Sequence, residues 1–278
     1  MKNKSRDLIS LYLECQYLDE GLENHRLALT DKLVGKRLEF DFDEDGESSK
    51  ILIDFKNQSQ LEWGKIGAPL KVEQYEAIEL RSDIFFVDWV CHQDAKQSIS
   101  VVIDFVSWEA TLLRSDLPNQ QKVIPCIHER IRTDNDLSAV KVHITHAGIN
   151  GKTTPKVHHR TKELIGKRLV HNYGNHTYEH IYLNEELFTW HCLAGEGEGT
   201  ADTEPSEYFK IGEALYLFIW REKIHPWIGI ILIDLSQKRT AGKVFYGDIV
   251  DPDRVINYTV GAQVEFWNET KQVKKVSE

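Results

Sequence analysis

Residues 166–234 read GKRLVHNYGNHTYEHIYLNEELFTWHCLAGEGEGTADTEPSEYFKIGEALYLFIWREKIHPWIGIILID. Short apolar and aromatic runs alternate here with turn-rich breaks, and the triplet Arg221-Glu222-Lys223 interrupts one of the runs. Within a run, residues two apart belong together: Leu169, His171 and Tyr173; Tyr178, His180 and Tyr182; Tyr216, Phe218, Trp220 and Glu222. That is the period of a β-strand, in which alternate side chains share a face of the sheet.

An earlier segment follows the same plan. GKRLEFDF at Gly35 matches GKRLVHNY at Gly166, and IFFVDW ending at Trp89 matches LYLFIW ending at Trp220. SVVIDF, with Asp104, matches IILIDL, with Asp234. The offsets are 131, 131 and 130 residues. Three landmarks held in register over so long a span mean a duplicated domain rather than a short stacking repeat.

Strand-like runs recur every ~8–12 residues with turn signals between them, the spacing of a barrel or sandwich rather than of βαβ units. Closing each unit into a barrel of roughly eight strands removes exposed edges and leaves an interior that fills with side chains or holds one small ligand. The expected fold is therefore all-β: tandem duplicated calycin/lipocalin-like antiparallel β-barrels with a short N-terminal helix. The helix is placed at Ser5 to Gln16 within an N-terminal segment 1–29, where Leu8, Leu11, Tyr12 and Cys15 fall at helical spacing. The first barrel is assigned to 30–115, a polar linker containing one strand (Ala139 to Ile144) to 116–162, the second barrel to 163–267 and a charged tail to 268–278.

Composition narrows the function classes. The net charge of -10, with no basic block, argues against nucleic-acid binding. No stretch approaches the roughly 18 apolar residues of a membrane span. Cys15, Cys91, Cys126 and Cys192 are scattered without a CxxC pair, and the N-terminus does not read as a secretion signal. Reduced thiols in a cytoplasmic protein are expected.

The candidate chemistry lies in the second unit. If Tyr216, Phe218, Trp220 and Glu222 face a lumen, Glu222 is a carboxylate lodged beside Trp220, and desolvation would raise its pKa toward the range useful for acid–base work. The alternative is a Glu222 paired in solvent at the strand end. The first unit has Cys91 at this place and lacks the whole triplet. The hairpin carrying His171, Tyr173, Tyr178 and His180 would offer hydrogen-bond donors and imidazoles to a ligand, where the first unit has only Leu38, Phe40 and Phe42. Glu222, His171 and His191 are the candidates for proton transfer; Tyr173, Tyr178, His180, Trp190, Tyr216, Trp220 and Arg221 are the candidates for contact with substrate.

No metal or cofactor is expected. His171, His180, His191 and Glu222 lack HxH or HxxxH spacing, and the adjacent His158 and His159 would point apart in a strand. The glycines of Gly195-Glu196-Gly197-Glu198-Gly199 come with carboxylates that would repel phosphate and with no following helix, so a mobile loop over the barrel mouth is the better reading.

The same residues carry a family resemblance. YEHIYL at Tyr178, FTWHCLAGEGEGTADTE at Phe188, YFKIGEALYLFIWREKIHPWIGIILIDL at Tyr208 and GKVF at Gly242 resemble the MoaF-type family, closely over 164–261 and more loosely over 30–113. The family's name implies an association with molybdenum-cofactor biosynthesis, a pathway rather than a reaction. GKRLVHNYGNHTYE is also similar to the opening of phenolic acid decarboxylases, cofactor-free lipocalin-like barrels in which two tyrosines on the opening strand hold the substrate carboxylate and an arginine and a glutamate complete the site. On that likeness one tyrosine falls on Tyr173, His171 replaces the other, the arginine position falls near His191, and Glu207 is nearest to the glutamate.

Together these imply a small organic ligand in the second lumen and cofactor-independent acid–base chemistry of lyase or isomerase type. One rival is a non-catalytic carrier of a small, pterin-related molecule. The other is a structural barrel whose lumen is plugged by aromatics.

Overall fold

The computed structural model describes residues 21–22, 24–44, 47–118, 127–133, 136–152, 158–248 and 254–271. The helix expected at Ser5 to Gln16 lies outside them. Among the described residues the chain is almost entirely antiparallel strand. The first unit comprises β1 (Arg37–Glu44), β2 (Glu47–Phe55), β3 (Gln60–Lys65), β4 (Lys71–Gln74), β5 (Glu76–Arg81), β6 (Ile84–Val90), β7 (Gln97–Asp104), β8 (Glu109–Asp116) and β9 (Lys141–Ile149). A short helix, α1 (Ile127–Arg132), precedes β9. The second unit comprises β10 (His159–Arg160), β11 (Lys167–Asn172), β12 (Thr177–Tyr182), β13 (Leu187–Ala194), β14 (Ala201–Gly212), β15 (Leu215–Arg221), β16 (Trp227–Asp234), β17 (Arg239–Gly247) and β18 (Val255–Glu269).

Both units close on themselves. In the second, β14 pairs with β13 on one side and β15 on the other, completing a ring of eight strands, β11 to β18. In the first, the equivalent strand is broken at Tyr75: β4 pairs with β3, and β5 pairs with β6. The break is pinned by Tyr75, whose N–H and hydroxyl donate to the carbonyls of Ser59 (2.9 Å) and Asn57 (2.8 Å).

The strand assigned to the linker is a correction. β9 pairs with both β8 and β1 and is the eighth stave of the first barrel, the counterpart of β18 in the second. Without it β1 and β8 would each present an open edge.

The repeat landmarks now have reasons. Gly35 and Gly166 both have positive φ (77° and 86°) and both donate from N–H to the carbonyl that ends the second strand, Phe55 and Tyr182, each at 2.8 Å. Asp104 and Asp234 cap the turns that follow them, accepting the N–H of Ser107 (3.1 Å) and Gln237 (2.9 Å).

The near-continuous apolar character of β15 and β16 follows from how the barrels meet. Tyr216, Phe218 and Trp220 point into the second lumen, while Leu215, Leu217 and Ile219 pack outward against Ile78, Leu80, Ile84 and Phe86 of the first barrel. Two polar clamps sit in this seam. Lys243, fully buried, holds Asp88 at 2.7 Å and donates to Ser98 at 2.6 Å, with Ser100 and Asn257 completing the coordination of Asp88. Arg81 grips Asp234 with two bonds of 2.6 and 2.7 Å and also reaches the Glu213 carbonyl. Reciprocally, His158 at the start of the second unit is buried against the first, within 2.8 Å of Thr111 and 3.6 Å of Asp104. His158 thus serves the seam between the barrels.

Candidate functional site in the second lumen

The two lumens differ in what fills them. The first is packed with Leu38, Phe40, Phe42, Phe55, Phe85 and Trp89, the last in edge contact with Trp63 at 5.4 Å. The second encloses a cavity of about 80 Å³ lined by Leu22, Tyr173, Tyr178, His180, Phe188, Trp190, Trp220, Glu222, Trp227, Val244 and Val260.

A single position accounts for much of this. Trp89 pairs with Ile99 across β6 and β7, whereas Trp220, its counterpart, pairs with Gly229. A Cβ on Gly229 would lie 2.0 Å from the Trp220 ring. The glycine lets the indole lie flat over β16, stacked at 5.4 Å on Phe218.

Strand register fixes which side chains enter. In β12 and β13, Tyr178 lies opposite Cys192, His180 opposite Trp190 and Tyr182 opposite Phe188, all facing inward. Deep in the lumen His171 and His180 lie against each other, tilted by 33° with ring centroids 4.2 Å apart. Thr240 sits 3.1 Å from His171 Nδ1, and the Tyr182 hydroxyl lies 3.4 Å from His171 and 3.5 Å from His180. Burial drives the His171 pKa down to about 3, and burial followed by its histidine neighbour takes His180 well below the usual range. Both imidazoles are neutral at any physiological pH. The Tyr173 and Tyr182 hydroxyls are pushed up, chiefly by desolvation, and stay protonated.

At the mouth the charges change character. Glu222 stands one step past Trp220 on the lumen side. Opposite it on β14 stands Glu204, one inward position beyond the Ser206–Trp220 pair. Glu204 is 2% exposed and accepts the Lys223 N–H at 2.9 Å. Desolvation first, then the nearby carboxylates of Glu222 and Asp202, raises its pKa to about 9. Glu222 rises to about 7, mostly through burial and next through Asp202, while Lys223 and a hydrogen bond from the Trp220 indole pull it back. Lys223 itself is bound to Asp202 at 2.8 Å. The mouth therefore holds a carboxylic acid that keeps its proton at neutral pH beside one poised to lose it.

Glu204 has an exact counterpart in the first barrel. Glu73, also 2% exposed, accepts the His92 N–H at 2.8 Å, and both residues precede the bonds of Glu204 and Lys223 by 131 positions. The buried glutamate is part of the duplicated scaffold. What is new in the second barrel is the residue beside it: Cys91 in the first, its thiol pushed up to about 12 by burial, becomes Glu222.

Of the residues singled out from sequence, Tyr173, Tyr178, His180, Trp190, Trp220 and Glu222 line this one cavity. His171 is in the lumen but behind His180. Tyr216 lies at the opposite end of β15 from Glu222, its hydroxyl donating to Glu163 at 2.7 Å. His191 and Arg221 leave the lumen altogether. Each is one residue from an inward tryptophan, and strand alternation turns it out. His191 stands on the outer face, 38% exposed, against Glu179 at 3.3 Å; Arg221 points toward the Val140 carbonyl at 3.4 Å. Glu207 is also turned out of the lumen and paired with Arg160.

The glycine loop does not lie free over the mouth. It is a hydrogen-bonded turn, Gly199 N–H to the Cys192 carbonyl at 2.9 Å, packed against His176. Leu22, ahead of the first barrel in sequence, completes the cavity lining, and its carbonyl accepts the Gly261 N–H at 3.1 Å. Gly261 has to be glycine there, since a Cβ would sit 2.3 Å from the His25 carbonyl. Among the described residues no group of three or more His, Cys, Asp or Glu side chains could hold a metal ion. Cys91 and Cys192 are buried free thiols; Cys15 and Cys126 lie outside the described residues. No helix among those residues is long and apolar enough to cross a membrane.

Comparison with known proteins places the chain. The model of the MoaF N-terminal domain matches residues 10–119, and that of the MoaF C-terminal domain matches residues 158–270. The chain belongs to the MoaF family. Within that family it is similar to Protein MoaF of Klebsiella aerogenes, 33% identical over 263 residues that cover 94% of this chain and 97% of the relative. The cavity lies wholly within the part matched by the MoaF C-terminal domain, except for Leu22. A solved structure of a putative beta-lactamase from Burkholderia vietnamiensis aligns with 39% of this chain and 99% of its own, at 13% identity and a TM-score of 0.33.

Proposed function

We propose that the second barrel of this MoaF-family protein binds a small organic molecule in its lumen, and that Glu222 exchanges a proton with it. The chemistry is acid–base, of lyase or isomerase type, run by the barrel's own side chains. The observation that carries this reading is the position of Glu222, a carboxyl lining an aromatic cavity with a second, proton-retaining carboxyl directly behind it. A general acid or base works best when its pKa lies near the working pH, and Glu222 at about 7 meets that condition. His180 and His171, held neutral, serve as hydrogen-bond partners rather than as proton acceptors.

A second reading, carriage without chemistry, is favoured by a lining that, His180 and Glu222 apart, is aromatic or aliphatic. One experiment separates the two. The molecule that co-purifies is identified by native mass spectrometry and incubated in heavy water with wild-type protein or with Glu222→Gln. The expected result is conversion or deuterium incorporation with wild type, reduced on the order of 100-fold or more in the variant. A ligand returned unlabelled and unchanged by the wild-type protein establishes carriage instead.

A further inference from the structure

We propose that the ligand taken by this lumen is a small organic cation, a protonated amine about the size of one aromatic ring. The proposal rests on the lumen being the binding site, and goes beyond it in assigning the ligand's charge.

Most of the wall is aromatic: Tyr178, Phe188, Trp190, Trp220 and Trp227 come from four strands, β12, β13, β15 and β16, and Tyr173 follows β11, with Leu22, Val244 and Val260 completing the lining. Their edges and faces are locked to one another, Tyr178 against Trp190 at 6.1 Å and Phe188 against Trp220 at 6.0 Å, and Trp227 stacks on Tyr246 at 4.0 Å. Aromatic faces carry negative potential and attract a cation placed over them, most strongly when the site is dry.

The charged groups point the same way. Among the described residues no lysine or arginine lines the cavity. Cations on the surrounding strands and turns are engaged elsewhere: Lys223 with Asp202, Arg221 with the Val140 carbonyl, Arg168 with Glu179 on the outer face, Lys243 with Asp88 in the seam. An anionic ligand would meet Glu222 with no lysine or arginine in the lining to offset it, whereas a cation would meet both the aromatic rings and that carboxylate.

A third observation concerns the rest of the ligand. Trp227 is only 8% exposed, lines the cavity, and its indole N–H has no hydrogen-bond partner; the Trp190 N–H is in the same state. Buried donors are ordinarily satisfied, so an acceptor on the ligand, such as a hydroxyl or carbonyl oxygen, fits here. The cavity volume of about 80 Å³ limits the ligand to a compact molecule.

The test uses three ring compounds of nearly equal shape: benzylamine, a cation at neutral pH; benzyl alcohol, neutral; and benzoate, an anion. Each is titrated into the full chain at pH 7.5, with binding read by quenching of tryptophan emission and checked by calorimetry. The expected order is benzylamine tighter than benzyl alcohol by on the order of tenfold, with benzoate weakest. In Glu222→Gln the advantage of the amine over the alcohol should collapse to within about twofold. Retained binding of the alcohol shows that this variant is folded. Trp190→Leu is the second probe and should cost the amine more than the alcohol. An alcohol that binds as well as the amine, or a benzoate that binds best, overturns the charge assignment while leaving the lumen a binding site. Failure of all three compounds to bind the wild-type protein overturns the lumen reading, and the proposal with it.

Discussion

Glu204→Gln should stabilise the protein, and by more at higher pH. In the folded chain the Glu204 carboxyl keeps its proton up to about pH 9; unfolded, it releases it near its ordinary value of 4.5. Between those values the native state binds more protons than the unfolded state, so the contribution of Glu204 to stability falls as pH rises, and levels off above about 9. Each pKa unit corresponds to about 1.4 kcal/mol. From 4.5 to neutrality the accumulated loss is about 3 kcal/mol, and over the interval from about pH 5 to pH 8 it is about 4 kcal/mol. Glutamine keeps an oxygen to accept the Lys223 N–H but has no proton to retain, so the penalty vanishes. Equilibrium urea unfolding of wild type and variant, followed by tryptophan emission at pH 5, 6, 7 and 8, reads the effect directly. The gap in unfolding free energy should open steadily in favour of the variant. Both proteins retain some downward slope from Glu222, so only the difference is diagnostic. Parallel curves would refute the reasoning, for they would mean that Glu204 loses its proton in the folded protein as readily as in the unfolded one.

Three further outcomes follow from the same geometry. Lys243→Met leaves Asp88 buried without its cation and should cost about 3–5 kcal/mol; adding Asp88→Leu should restore much of the loss, and urea unfolding of the single and double variants measures both. Gly229→Ala drives a methyl into the Trp220 ring, so a loss of about 1–3 kcal/mol is expected together with weakened ligand quenching; a variant that is fully stable and binds normally shows that Trp220 can move away freely. Neither His171 nor His180 should titrate between pH 5 and 8, because burial holds both neutral. Imidazole proton shifts in NMR spectra, assigned with His171→Phe and His180→Phe, check this.

The architecture was largely written in the sequence because its signals are local. A glycine needing positive φ, an aspartate capping a turn and a tryptophan at fixed parity each leave a mark on the chain, and the marks recur at 131 or 130 residues. The seam between barrels was legible only as a puzzle: both faces of β15 are apolar, which is inexplicable for a lone barrel and natural once the outward face packs on β5 and β6. β9 was misassigned because 24 residues separate it from the end of β8, a distance that sequence spacing reads as a linker and that strand pairing reveals as a detour. His191 and Arg221 do not reach the lumen for a simpler reason. Alternation admits Trp190 or His191, and Trp220 or Arg221, but never both members of either pair.

Glu204 was invisible for a subtler cause, and it bears on how the site arose. Counting back from the tight turn between β14 and β15, Gly212 opposes Leu215, so an unbroken ladder would set Glu222 against Pro205. The structure instead inserts a bulge between Lys210 and Gly212, after which Ser206 opposes Trp220 and Glu204 stands against Glu222. One extra residue exchanges the faces of everything upstream, turning Glu204, Ser206 and Tyr208 into the lumen. The first barrel carries the same bulge between Glu79 and Arg81, and by it Glu73 is buried in the same way. Both barrels therefore bury a carboxyl that anchors the end of the next strand. In the first barrel a thiol at Cys91 adjoins it, in a lumen filled by packing. In the second, Gly229 makes room beside Trp220 and Glu222 supplies a second carboxyl, so a structural acid comes to stand behind a carboxyl that lines a cavity. Placing a carboxylate at position 91 of the first barrel alone would not reproduce this, because Ile99 stands opposite Trp89 where the second barrel has Gly229, in a lumen already filled by packing.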